Sequence, residues 1–450
     1  MNPWAGIAGV LAALGTLVLA LRVVQRRFAV HPELVRKMLH VGMGAVVLTF
    51  PWMFSAAWPV ILLGLVAAGA LLAMKLGPKL PGDPASVLSA VDRESLGEVY
   101  YPLAIALLFT LSLGDWLLYV VPVLMLVIAD AVAAVIGVRF GATRFQTADG
   151  FKSLEGSLAF FVTAFLSAHV PLLLLSDTGR AQTLMLALIL ALLVMLLEAI
   201  AWRGLDNLFI PLGCYALLKL YMHESQDALL LRLAATVLLV TFCLAWRRRT
   251  ALDDSALIGA ALFGYAAWMV GGWLWLLSPL VTFVGHVLLW PRLPGSHRHY
   301  TIHNVLAVTA PGLLWLLVFA VGQNPQMLLG FTGVFAAHLG IIAVSALHWR
   351  WAGRPWTWDV AAAAASWLLV ATPVLVLLRW RWPGEHGPTA TLIDALLGLA
   401  AVAGAVRLHQ WLWRRLATSE TTLPGGLAVT AGLGIAASLL AGARVLLQGL

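Results

Sequence analysis

Between Asp130 and Ser157 the chain reads DAVAAVIGVRFGATRFQTADGFKSLEGS, and this stretch gathers the residue types that handle phosphate. Asp130 is an acid inside an apolar run, where a carboxylate is costly unless it faces a partner, an ion or water. Arg139, Arg144 and Lys152 follow as phosphate-binding cations. Gly137 and Gly141 are positions at which backbone N–H groups could meet an anion. Lys152 and Glu155 are three apart, a spacing that lets both face one point, and Ser153 is suited to cap a helix starting there. Together these residues suit a metal-bound phosphate at a membrane surface. The structural alternative is an Asp–Arg or Asp–Lys pair that sets helix register. The run Gly150-Phe151-Lys152-Ser153 is not a Walker A loop, because the glycine does not directly precede the lysine.

Three further groups lie at the mouths of apolar runs. Arg36 and His40 are four apart and share a helix face; the plainer reading is an interfacial anchor. Asp92-Arg93-Glu94-Ser95-Leu96-Gly97-Glu98 crowds charge ahead of Tyr100-Tyr101-Pro102, as an ordinary solvated loop also would. Glu198 ends a long apolar run, and Asp206-Asn207 and Pro211 follow. Mg²⁺ is usually held by one or two carboxylates plus substrate phosphates, which matches Asp130 with Asp206 or Glu198.

The elements that position these groups must cross a bilayer. Of 450 residues, 62% are hydrophobic and 11% charged, and many runs approach the ~20 residues a spanning helix needs. The reading is an all-α, polytopic integral membrane bundle of about 14–16 transmembrane segments. The net charge of +8 falls in short clusters between apolar runs, which fits positive-inside loops and not nucleic-acid binding. Cys214 and Cys243 lie in apolar stretches and give neither a disulfide framework nor a zinc site.

The first apolar run has its positives after it, at Arg22, Arg26 and Arg27, which places the N-terminus outside. Threading from there puts all four charged groups on the cytoplasmic face. Asp115, Asp177, Glu224 and Asp227 fall opposite, and Arg379 and Arg381 break the charge pattern in the second half. The runs at 101–114 and 207–222 are short enough to be re-entrant. The domains expected are 1–246, a basic linker at 247–254, and a membrane domain at 255–450. All five lysines and fourteen of the twenty acids precede residue 251, so phosphoryl chemistry belongs to the first half.

The chain resembles the phytol kinase and dolichol kinase (polyprenol kinase) family over about residues 30–246. The likeness rests on Arg36-Lys37-x-x-His40, Arg93-x-x-x-Gly97 leading to Tyr101-Pro102, Asp130-Ala131-x-Ala133-x-x-x-Gly137-x-x-x-Gly141, Lys152-x-x-Glu155-Gly156-Ser157, and Glu198 ahead of Asp206-Asn207. The resemblance implies phosphate transfer, typically from CTP with its Mg²⁺, to the terminal hydroxyl of a membrane isoprenoid alcohol. On that basis Asp130, Asp206 and Glu198 are expected at the metal. Arg36, His40, Arg93, Gly137, Arg139, Gly141, Arg144, Lys152, Gly156 and Asn207 are expected at the nucleotide and its phosphates. Glu155 is expected to orient Lys152 or complete the metal shell, and the base is open between Asp130 and Asp206. A CTP-dependent cytidylyltransferase acting on a lipid phosphate and a non-enzymatic lipid-phosphate carrier are the alternatives.

Residues 253–306 resemble the start of the phytyl-phosphate kinase family, but the acidic motifs that should follow are missing. His297, His299 and His303, at spacings of two and four, do not match a standard helical metal site, although His299 and His303 are i,i+4, and interfacial or headgroup contacts are the plainer reading.

Overall fold

The computed structural model describes residues 2–28, 30, 32–76, 95–289, 300–350, 355–381, 387–416 and 423–443. The chain forms two compact units, Met1–Val240 and Thr241–Leu450. Among the described residues, twelve helices are long and apolar enough to cross a membrane, and three shorter apolar helices accompany them. The chain is an all-α, multi-pass integral membrane protein.

In the first unit, α1 (Pro3–Phe28), α2 (Pro32–Leu48), the single turn α3 (Phe50–Met53) and α4 (Trp58–Leu76) lead to α5 (Gly97–Leu111). The span α6 (Leu117–Phe140) follows and contains a π-helical turn at Met125–Ala129. Strands β1 (Arg144–Thr147) and β2 (Gly150–Ser153) then form an antiparallel hairpin. Helices α7 (Leu154–Leu175), α8 (Arg180–Ile200), α9 (Asp206–Tyr221) and α10 (Gln226–Trp246) complete the first half.

Small residues decide how closely these helices pack. A Cβ on Gly156 of α7 would lie 3.2 Å from the Gly137 Cα of α6. One on Gly44 of α2 would lie 2.3 Å from Val127 at the π turn. Helix α8 packs against α7 and α9, and 61% of its spanning window is buried, so it is an inner helix of this unit. At 15 and 16 residues, α5 and α9 are shorter than a full span.

The second unit holds α11 (Asp254–Gly271), α12 (Trp273–Leu289), α13 (Ile302–Gly322), α14 (Met327–Arg350), α15 (Thr357–Arg381), α16 (Pro388–Leu416) and α17 (Leu423–Ala441). Helix α14 is its axis: 78% of its spanning window is buried, and it packs on α12, α13, α15, α16 and α17. Phe331 and Phe335 meet Trp275 and Phe263 in an aromatic core. His297 and His299 lie outside the described residues.

Candidate active site

On α2, Val35 and Leu39 are buried against Leu21 of α1. That contact turns the opposite face, with Lys37, His40 and Gly44, toward α6. Lys37 Nζ donates to Asp130 Oδ2 at 2.9 Å, and the two side chains are only 16% and 14% exposed. His40 Nε2 lies 3.8 Å from the same oxygen and 3.2 Å from the Leu126 carbonyl in the π turn. Such wide turns recur where a helix is adapted to a site. Lys37, given no role of its own from the sequence, is therefore the direct partner of the intramembrane acid. The signal available was its three-residue spacing from His40, which puts both on one helix face.

The hairpin positions the second lysine. Phe145 pairs with Lys152 across β1 and β2, and Gly150 turns the chain at φ +124°. Lys152 Nζ reaches Glu198 Oε1 at 2.6 Å and also the Glu198 carbonyl. Ser153 caps α7, accepting from the Gly156 N–H at 3.1 Å.

Glu155 corrects the expectation that it faces Lys152. Lys152 is on a strand and Glu155 in the first helical turn, so helical spacing does not apply to the pair. The Glu155 carboxylate instead accepts from the Thr143 N–H at 3.0 and 3.2 Å. The glycines correct a second expectation. Gly137 lies inside α6, where its N–H belongs to the helix ladder. The Gly141 N–H donates to the Gly137 carbonyl, and that of Gly156 is taken by Ser153. These glycines allow close helix packing and do not present N–H groups to an anion.

Asp206 opens α9, with its Oδ1 2.9 Å from the Asn207 N–H. It lies within electrostatic reach of Asp130, Lys152 and Lys37, and also acts on Glu198 and His40. Asn207 donates its side-chain amide to the Gly97 carbonyl at 2.9 Å, so this group ties α9 to α5. The connecting loop takes positive φ at two positions, Arg203 (φ 50°) and Gly204 (φ 83°), of which only the glycine adopts it without a Cβ clash. Arg203 accepts from the Leu96 N–H at 3.1 Å through its carbonyl and donates its own N–H to the Asp149 carboxylate.

The arginines are distributed differently from the lysines. Arg139 is exposed and lies over the Phe140 ring at 5.5 Å, and Arg144 is exposed at the start of β1. Arg36 lies within electrostatic reach of Glu98, as does Lys75. Arg93 falls outside the described residues. The core of the site is thus Lys37, His40, Asp130, Lys152, Glu198 and Asp206.

Among the described residues no group of three or more His, Cys, Asp or Glu side chains is arranged to hold a metal ion by itself. The donor set does fit a hard cation that arrives with phosphates. Three carboxylates lie within mutual electrostatic reach, and two of them are held by lysines that phosphate oxygens could also engage.

The chain is similar to the phytol kinase of Synechocystis sp., with 33% identity over 215 residues that make up 47% of this chain and 88% of that one. Over that part of its length the chain belongs to the phytol kinase family. No family model matches, and no solved structure does either.

Proposed function

We propose that the first unit phosphorylates a membrane isoprenoid alcohol at the cytoplasmic face, using a nucleoside triphosphate, typically CTP, as the resemblance implies. The observation that carries this reading is the pair of lysine–carboxylate contacts, Lys37–Asp130 and Lys152–Glu198, with Asp206 within electrostatic reach of both. A triphosphate can take over both lysines, and its cation can take over the carboxylates. Asp130 with Asp206 or Glu198 would hold Mg²⁺, which neutralises phosphate charge when bound. The alcohol oxygen forms a bond to the γ-phosphorus. The bond from that phosphorus to the bridging oxygen breaks, the nucleoside diphosphate leaves, and the alcohol proton passes to Asp130 or Asp206. The protein's part is to position the reactants and supply charge. A long-chain alcohol remains in the bilayer while a soluble nucleotide approaches, and helix ends at one membrane face suit both.

Full-length protein in lipid vesicles, given phytol, geranylgeraniol or undecaprenol, tests the reading. Label from γ-labelled CTP should enter the lipid, and Asp130→Ala or Lys152→Ala should abolish this while leaving the protein inserted. Label entering from the α-position would establish a cytidylyltransferase instead. No incorporation, with measurable movement of lipid phosphate, would establish a carrier.

A further inference from the structure

Tyr101, on α5, has its ring edge against His40, with centroids 5.2 Å apart. The residue is 6% exposed, and among the described residues its buried hydroxyl has no hydrogen-bond partner. A buried hydroxyl without a partner destabilises a fold, so each instance calls for an account. Other tyrosines of this unit show how a phenol is treated when packing alone is required. The Tyr119 hydroxyl donates to the Val47 carbonyl at 2.9 Å, and that of Tyr215 to the Leu111 carbonyl at 2.8 Å. Phenylalanine would fill the Tyr101 ring site equally well without leaving a polar atom unbonded.

The location says what the hydroxyl awaits. Tyr101 touches His40, which itself flanks Asp130. It also lies within electrostatic reach of Tyr119, which precedes Leu126 by two turns of α6, on the side away from Asp130. The phenol therefore stands on the apolar side of the charged cluster. An alcohol whose tail stays in hydrocarbon approaches the cluster from that side, hydroxyl first.

We infer that the Tyr101 hydroxyl binds the acceptor alcohol, donating to one lone pair of the alcohol oxygen. The second lone pair stays available to the γ-phosphorus, and the alcohol proton stays available to the carboxylate base. Tyr101 is then an acceptor-binding residue. This assignment rests on the proposed kinase reading and adds to it the group that holds the alcohol.

Tyr101→Phe in the full chain tests it. The KM for the alcohol should rise about tenfold, the loss of one hydrogen bond. The KM for the nucleotide and kcat should hardly change, and the unfolding temperature should not fall, since an unbonded hydroxyl has been removed. Equilibrium binding of tritiated phytol to the solubilised full chain, without nucleotide, should weaken by the same factor. An unchanged alcohol KM and unchanged phytol binding would overturn the inference, as would an equal rise in both KM values. Wild-type protein that transfers phosphate to no isoprenoid alcohol would instead overturn the kinase reading, and this assignment with it.

Discussion

A buried carboxylate that loses its cation is left with a charge that neither water nor a partner stabilises, which is worse than losing the pair as a whole. Lys37→Ala takes from Asp130 its hydrogen-bonded cation and leaves it, among the described residues, only His40 as an ion-pair partner, 3.8 Å away. Transfer should fall by about a hundredfold or more, as when a preorganised charge is removed from a phosphoryl site. Glu155→Gln affects only an exposed bond to the Thr143 N–H and should leave the rate within about twofold. Initial rates in vesicles, normalised to inserted protein, measure both. A collapse in Glu155→Gln with normal turnover in Lys37→Ala would reverse the two assignments. Asp130 was legible in the sequence because an acid in an apolar run requires an explanation. Its partner was not, since Lys37 lies 93 residues away and only the packing of α2 on α6 selects it over Arg36.

The loop between α8 and α9 joins three elements through Gly204. A Cβ there would sit 2.3 Å from the Gly97 Cα, and the backbone already has φ +83°. Gly204→Ala should destabilise the protein by about 2 kcal/mol or more and weaken transfer, because α5 and α9 both lose their seat. Gly114→Ala is the control: its φ is +95°, but nothing lies within 4 Å of the added carbon. It should cost about 1 kcal/mol from backbone strain alone and leave transfer intact. Thermal unfolding of the solubilised protein, alongside the rate assay, separates the two; equal effects would mean that the Gly97 contact is immaterial. Hydropathy alone revealed the long spans, because a bilayer-crossing helix must be apolar over most of its length. The hairpin after α6 was hidden despite Asp149-Gly150, a turn signal. Its strands have four residues each and no alternating apolar face, so nothing in their pattern distinguished strand from loop.

At the scale of the whole chain, chemistry and compactness divide in the same place. The lysines and most acids belong to Met1–Val240, and the related phytol kinase is just over half as long as this chain. That relative is too short to hold a second unit of this size. The second unit has its own core around α14, with Phe331 and Phe335 fully or almost fully buried, so each unit has an interior to fold around. Residues 1–246, expressed alone, should insert and transfer phosphate to an isoprenoid alcohol at a rate comparable to the full chain's, whereas residues 247–450 should transfer none. Vesicle assays on the two fragments, each first checked for cooperative unfolding, measure this. A folded first fragment without activity would show that the second unit supplies part of the catalytic machinery. The groups to supply it would then be that unit's buried acids: Asp253, Asp359, which accepts from Gln410 at 2.8 Å, and Asp394, which is 1% exposed. An acid inside a helix apolar enough to span a bilayer is costly to place there, so Asp394, within Pro388–Leu412 and the most deeply buried of the three, would be the first of them to replace.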